Sequence, residues 1–120
     1  MRYDANGALL ETEIPGLKPV HRGKVRDIYD MGDSLLFVAT DRISAFDCVM
    51  PNGIPDKGRV LTAMSLFWFN LFSWAPNHVL CSDASKFPAV LKSVEKDLAG
   101  RSILVKKART IPLECIVRGY

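Results

Sequence analysis

The chain has 120 residues, 48% of them hydrophobic and 24% charged, with 16 basic against 13 acidic side chains and a formal net charge of +3. That length fits one domain with a real core, because chains of this size bury roughly two-thirds of their unfolded surface, and the composition excludes disordered and fibrous classes. The small basic excess requires neither a nucleic-acid nor an anionic-membrane partner, but it suits a small phosphorylated ligand.

Met1 to Leu10 carries Asp4 and Asn6 and has no long apolar run, so it does not read as a secretory signal. The longest hydrophobic stretch, Leu66 to Trp74, is interrupted by Asn70 and Ser73 and is too short to cross a bilayer. A soluble, cytoplasmic protein is expected. Cys48, Cys81 and Cys115 are far apart and lack C-x-x-C spacing, which indicates neither a disulfide framework nor a zinc site and predicts reduced, mostly buried thiols.

Met1 to Lys18 reads as a lead-in with a turn at Pro15-Gly16. Lys24 to Tyr29 and Ser34 to Thr40 are strand-like and joined by Asp30-Met31-Gly32-Asp33, a hairpin connection. The second run is apolar at consecutive positions from Leu35 to Ala39, which predicts cover on both faces. Asp41 to Gly58 reads as an irregular, functional loop rich in Asp, Pro and Gly. A helix follows, with Val60, Met64, Phe67, Leu71 and Trp74 at spacings of three and four. Leu61, Leu66, Trp68, Phe69 and Phe72 widen that stripe until little polar surface remains, the pattern of a packed central helix, and Pro76 ends it. Phe87 to Leu98 reads as an amphipathic helix, with Leu91, Val94 and Leu98 inward and Lys92, Glu95 and Lys96 outward. Ser102 to Lys106 and Leu113 to Arg118 read as strands. The predicted class is α+β, a mainly antiparallel sheet with packed helices.

Arg22-Gly23-Lys24-Val25-Arg26-Asp27, taken as extended, would put Arg22, Lys24 and Arg26 on one face, either over phosphate oxygens or on a solvated sheet surface. Asp41-Arg42-Ile43-Ser44-Ala45-Phe46-Asp47 gathers two carboxylates, a guanidinium and a hydroxyl in one short segment. There Asp41 or Asp47 could hold a metal or a substrate amine and Ser44 could donate to phosphate; the alternative is an Asp-Arg pair with Ser44 capping a turn. Lys57 stands just before the central helix, where helical N–H groups and its own amine could face an anion together, or form an ordinary basic helix entry. The last predicted strand carries Glu114, Ile116 and Arg118 on one face, which is also the pattern of an exposed sheet surface. His21 and His78 lack partners at ligand spacing and receive no role.

Read together, RGKVRDIYD, ATDRISAFD, DKGRVLTAMSLFWFN and LVKKARTIPLECIVRGY occur in the order of the motifs of the phosphoribosylaminoimidazole-succinocarboxamide synthases, and the chain resembles that family from about Arg22 to Tyr120. The resemblance implies an ATP-dependent ligase of purine biosynthesis that joins L-aspartate to carboxyaminoimidazole ribonucleotide, with ATP and Mg²⁺ as cofactors. It implies that residues 1–120 form a nucleotide-binding lobe resembling ATP-grasp and kinase N-lobes, with possible homo-oligomers. Gly23, Lys24 and Arg26 would lie over the ATP phosphates, Lys106 on the nucleotide, and Ile111 and Glu114 beside the adenine. Lys24, Asp47 and Lys57 would be catalytic, while Arg118 and Ser44 would bind the ribonucleotide. Members of the family run on into a second lobe, so a fragment inactive by itself is expected, with most magnesium ligands elsewhere. Two other classes remain open: a stand-alone nucleotide-binding module, and a nucleic-acid-binding domain using Arg22, Lys24, Arg26, Lys106, Lys107 and Arg109, which the low net charge and the lack of interleaved aromatics oppose.

Overall fold

The computed structural model describes residues 1–119. Its centre is a five-stranded antiparallel sheet built from β3 (Pro19–Arg22), β4 (Arg26–Asp30), β5 (Ser34–Ala39), β8 (Val79–Cys81) and β9 (Ser102–Lys106), in the order β3-β4-β5-β9-β8. β4 and β5 form the expected hairpin: the Met31 N–H donates to Ser34 O at 3.0 Å, and the Gly32 N–H donates to the Asp30 carboxylate at 2.8 Å. β9 then inserts against β5, with Leu36 opposite Leu104 and Phe37 opposite Ile103. The α+β class with a mainly antiparallel sheet is observed.

The alternation of β4 and β5 sorts the sheet into two faces. Tyr29, Leu36, Val38 and Leu104 point into the core, where they meet Ile14, Phe87, Leu91, Val94 and Leu98. Ile28, Leu35, Phe37, Ala39 and Ile103 lie on the other face and are only half-buried, so the full cover expected on both sides of β5 is not achieved. Two short ribbons flank the sheet: β1 (Arg2–Tyr3) with β2 (Leu9–Glu11), and β6 (Arg42–Ala45) with β7 (Cys48–Gly53).

The second ribbon corrects the expectation of an irregular loop across Asp41 to Gly58. Ala45 pairs with Cys48 around a two-residue turn in which Phe46 and Asp47 have φ of 48° and 62°. Such left-handed turns twist with the strands they join, yet they usually advertise themselves through Gly or Asn, which are absent here. Pro51 is tolerated because β7 is an edge strand.

A helix forms where the sequence periodicity indicated, but α1 spans Lys57–Leu71 and stops short of Trp74 and Pro76, and it is not the packed centre of the domain. Its two buried residues are Gly58 and Thr62, which press the helix backbone against β5, while Val60, Met64, Phe67 and Leu71 on the helix, and Trp74 beyond its end, are all exposed. A helix apolar on every side presents more surface than one sheet face can cover. Phe67, Trp68, Phe72 and Trp74 instead stack edge-on and face-on with each other.

The second predicted helix is wound differently. Ala84–Lys86 and Ala89–Val94 are 3-10 turns, and only Glu95–Leu98 is α-helical (α2). Leu91, Val94 and Leu98 are nonetheless buried, since spacings of three and four satisfy either winding. No strand forms over Leu113 to Arg118. That segment leaves β9, an interior strand, and meets no free sheet edge with which to pair. The thiols also depart from expectation: Cys48 and Cys115 are exposed and Cys81 is half-buried.

Candidate functional site

A cleft of about 380 Å³ opens between the half-buried sheet face and α1. Phe37, Ala39 and Ile103 form its floor, Leu61, Met64 and Trp68 its helical wall, and Arg26 its rim. An apolar slot with a few polar groups at the mouth is the usual form of a small-molecule site.

The rim is formed by the connection between β3 and β4. Arg22 pairs with Asp27 across the ladder, and the Gly23 N–H donates to Arg26 O at 2.7 Å, so residues 23–26 form a tight turn. The extended reading of this motif, with three cations on one face, is therefore corrected. Arg22 shares the core side with Asp27, where it donates to Thr12 O at 2.9 Å and pairs with Glu11 at 3.3 Å. Arg26 lies on the cleft side with its guanidinium 5.9 Å from the centre of the Phe37 ring. Lys24 reaches across to Asp47 at the tip of the β6–β7 ribbon and forms an exposed ion pair with it. Two residues far apart in sequence are thus brought together beside the turn whose Val25 and Arg26 line the cleft.

Beneath the turn lies a polar layer that sequence reasoning missed. Asp41 is fully buried and accepts from the Leu9 N–H, the Gly58 N–H and Arg101 at 2.8, 2.8 and 2.9 Å. Arg42 pairs at 2.8 Å with Asp27, whose carboxylate also accepts from the Thr12 backbone at 3.1 Å and the Thr12 hydroxyl at 2.6 Å. Adjacent Asp41 and Arg42 therefore pair with distant partners rather than with each other. Asp41 is buried and already engaged by two backbone amides and a guanidinium, which makes it a structural anchor and corrects the reading in which it faces a metal or a substrate amine. The signal that could have found these partners was Asp27 placed between the cleft-side Arg26 and Ile28 on β4, and Arg101 standing directly before the apolar strand β9.

Lys57 opens α1 half-buried, and burial lowers its pKa, with Asp41 opposing that shift and Arg42 adding to it. Ser44 is exposed on β6. Lys106 is exposed at the end of β9, and Lys107 pairs with Asp30 at 2.7 Å. Ile111, Glu114 and Arg118 lie exposed in a segment without strand or helix, and the structure does not bring them to the cleft. His78 packs between the rings of Phe37 and Phe69, at 6.0 and 5.6 Å. Among the described residues, no three His, Cys, Asp or Glu side chains gather to hold a metal ion. No helix is long and apolar enough to cross a membrane among the described residues.

Residues 19–120 match the profile of the SAICAR synthetase family. The phosphoribosylaminoimidazole-succinocarboxamide synthase of Syntrophobacter fumaroxidans is 61% identical over 113 residues, and that of Geobacter metallireducens 58% over 113. Each alignment covers 93% of this chain and 38% of the relative, so the chain spans about two-fifths of the length of these relatives. Among solved structures, a SAICAR synthase superposes with a TM-score of 0.79 and 44% identity over 88% of this chain and 39% of the other. SAICAR synthase from Saccharomyces cerevisiae, complexed with SAICAR, gives 0.75 and 44% over 83% and 37%.

Proposed function

The chain belongs to the SAICAR synthetase family, and from that premise we propose that it is the nucleotide-binding lobe of an ATP-dependent ligase joining L-aspartate to carboxyaminoimidazole ribonucleotide. The observation that carries this reading is the pairing of an apolar cleft with a tight turn that lines it through Val25 and Arg26 and carries Lys24 beside them. Phe37, Ala39 and Ile103 offer a flat, dry surface suited to a purine ring, and the cations stand where a polyphosphate chain would emerge.

In the proposed reaction, a carboxylate oxygen of the imidazole attacks the terminal phosphorus of ATP, and the bond to the bridging oxygen breaks to release ADP. The aspartate amine then forms a bond to the activated carbonyl carbon, phosphate leaves and the amine proton passes to solvent or base. No protein nucleophile is needed. What the chemistry demands is fixed positive charge over a spreading anion, which preorganised Lys and Arg side chains supply. Lys24, Arg26 and Lys57 are the proposed cations. Asp47 is proposed to hold Lys24 until nucleotide displaces it, consistent with their exposed pair. Lys106 is proposed as a nucleotide contact from the end of β9, whereas Ile111 and Glu114 as nucleotide contacts, and Ser44 and Arg118 as ribonucleotide contacts, require the 107–119 segment and the ribbon to close on the cleft. No step of the proposed chemistry runs through a metal held by this chain; Mg²⁺ is proposed to enter with the nucleotide.

Trp68 lines the cleft and supplies the test. Titration with MgATP should quench its fluorescence saturably, and a Trp68→Phe variant should lose the quench while retaining affinity. An unchanged emission together with no binding by equilibrium dialysis would remove the nucleotide reading. Binding without aspartate-dependent ADP release would favour a nucleotide module without ligase chemistry.

A further inference from the structure

Arg42 is nine-tenths buried beneath the 23–26 turn, and its guanidinium is committed to fixed acceptors. Nη2 donates to Gly23 O at 2.8 Å and to Asp27 at 2.8 Å, Nε donates to Lys24 O at 3.2 Å, and Nη1 donates to Leu10 O at 2.6 Å. The next two carbonyls of the turn are also occupied. Val25 O accepts from the Thr40 N–H at 2.9 Å and the Thr40 hydroxyl at 2.8 Å, and Arg26 O accepts from the Gly23 N–H at 2.7 Å. Every carbonyl from Gly23 to Arg26 is thus tied down.

A trans peptide sets its N–H opposite to its C=O, and the chain contains no cis bond among the described residues. With the Gly23 and Lys24 carbonyls drawn onto Arg42, the N–H groups of Lys24 and Val25 must point away from it, out of the turn. Neither N–H has a backbone or side-chain acceptor among the described residues. Consecutive outward amides of this kind form an anion-binding concavity. We infer that Arg42 is a positioning residue: by holding the Gly23 and Lys24 carbonyls it aims the Lys24 and Val25 amides, beside the Lys24 ammonium, at a phosphate group. This deepens the nucleotide reading above and rests on it for the identity of the natural ligand, but the anion site itself can be tested without a nucleotide.

The probe is inorganic tripolyphosphate, followed by amide NMR on the full chain. The Lys24 and Val25 resonances should move saturably in the wild type. Arg42→Lys keeps the charge but cannot span two carbonyls, so it should bind at least about tenfold more weakly, the loss expected for charge-assisted hydrogen bonds to a misaimed pair. Lys24→Ala should weaken binding while leaving the Val25 amide responsive, a pattern that a purely structural role for Arg42 does not predict. If the wild-type Lys24 and Val25 amides do not respond, the inference is wrong, and that measurement depends on no variant folding. Unchanged affinity in a folded Arg42→Lys protein also overturns it. A response to tripolyphosphate with no binding of ATP leaves this site standing and removes the nucleotide reading instead.

Discussion

Buried charge decides what single residues do in this fold. Asp41 and Arg101 are 2.9 Å apart, with side chains 1% and 3% exposed, and truncating Asp41 leaves Arg101 only the more distant Asp56 at 3.9 Å. Asp41→Ala should cost about 3 to 5 kcal/mol, read by urea unfolding, because a lone buried charge is far more expensive than the pair is favourable. Phe46 sits fully exposed with φ of 48°, a strained position for a bulky residue. Phe46→Gly should therefore stabilise the chain by about 1 kcal/mol in the same measurement. Acid stability follows from Asp4, whose carboxylate is held below the ordinary range by the N–H groups of Gly53, Ala8 and Asn6. Its contribution is present above the unfolded value, near 4, and is lost as pH falls through the lower folded one. Asp4→Asn should flatten the acid limb of a stability profile. Lys57 acts in the opposite direction: its lowered pKa means that folding disfavours the charged amine, a cost present below the folded value and removed as pH rises past the unfolded one.

At the scale of elements, the position of α1 depends on one close approach. A Cβ on Gly58 would meet Ala39 O at 2.2 Å, so Gly58→Ala should lower stability by about 3 kcal/mol and shift the helix off β5, the upper range for overpacking. Gly32 has φ of 87° and open space around it, so Gly32→Ala should cost only about 1 kcal/mol of backbone strain. Thermal melts of the two variants distinguish packing from strain. The elements legible in the sequence were those whose pattern and partners are local: the β4–β5 hairpin with its Asp-x-Gly turn, α1, and β9. The β6–β7 ribbon escaped notice because a Phe-Asp pair does not announce a left-handed turn, and Leu113 to Arg118 looked like a strand because alternation encodes a face but not a neighbour. In the same way, Lys24 and Arg26 were legible as cations, whereas the turn that separates Arg22 from them depends on pairing across β3 and β4. The Arg42 clamp was invisible for that reason, since its acceptors are backbone carbonyls with no residue signature.

Over the whole molecule, the apolar face of α1 and the turn after it is the feature that the described residues leave uncovered, with Phe67 59% exposed on the helix and Trp74 81% exposed beyond its end. Contiguous exposed apolar area of this kind marks an interaction surface or an aggregation liability. The folded chain should therefore bind a hydrophobic dye and self-associate as its concentration rises, and Phe67→Glu should reduce both without lowering the melting temperature. The same helix walls the cleft, so the nucleotide reading and the uncovered face meet along α1. If the cleft and its turn bind ATP through Lys24, calorimetric titration of the wild type and Lys24→Ala with MgATP must separate the two proteins. The wild type should bind one equivalent, and Lys24→Ala should bind about 10- to 100-fold more weakly, as expected for loss of a charge-assisted contact. Equal affinity in the two proteins, or no heat in either, would contradict the assignment.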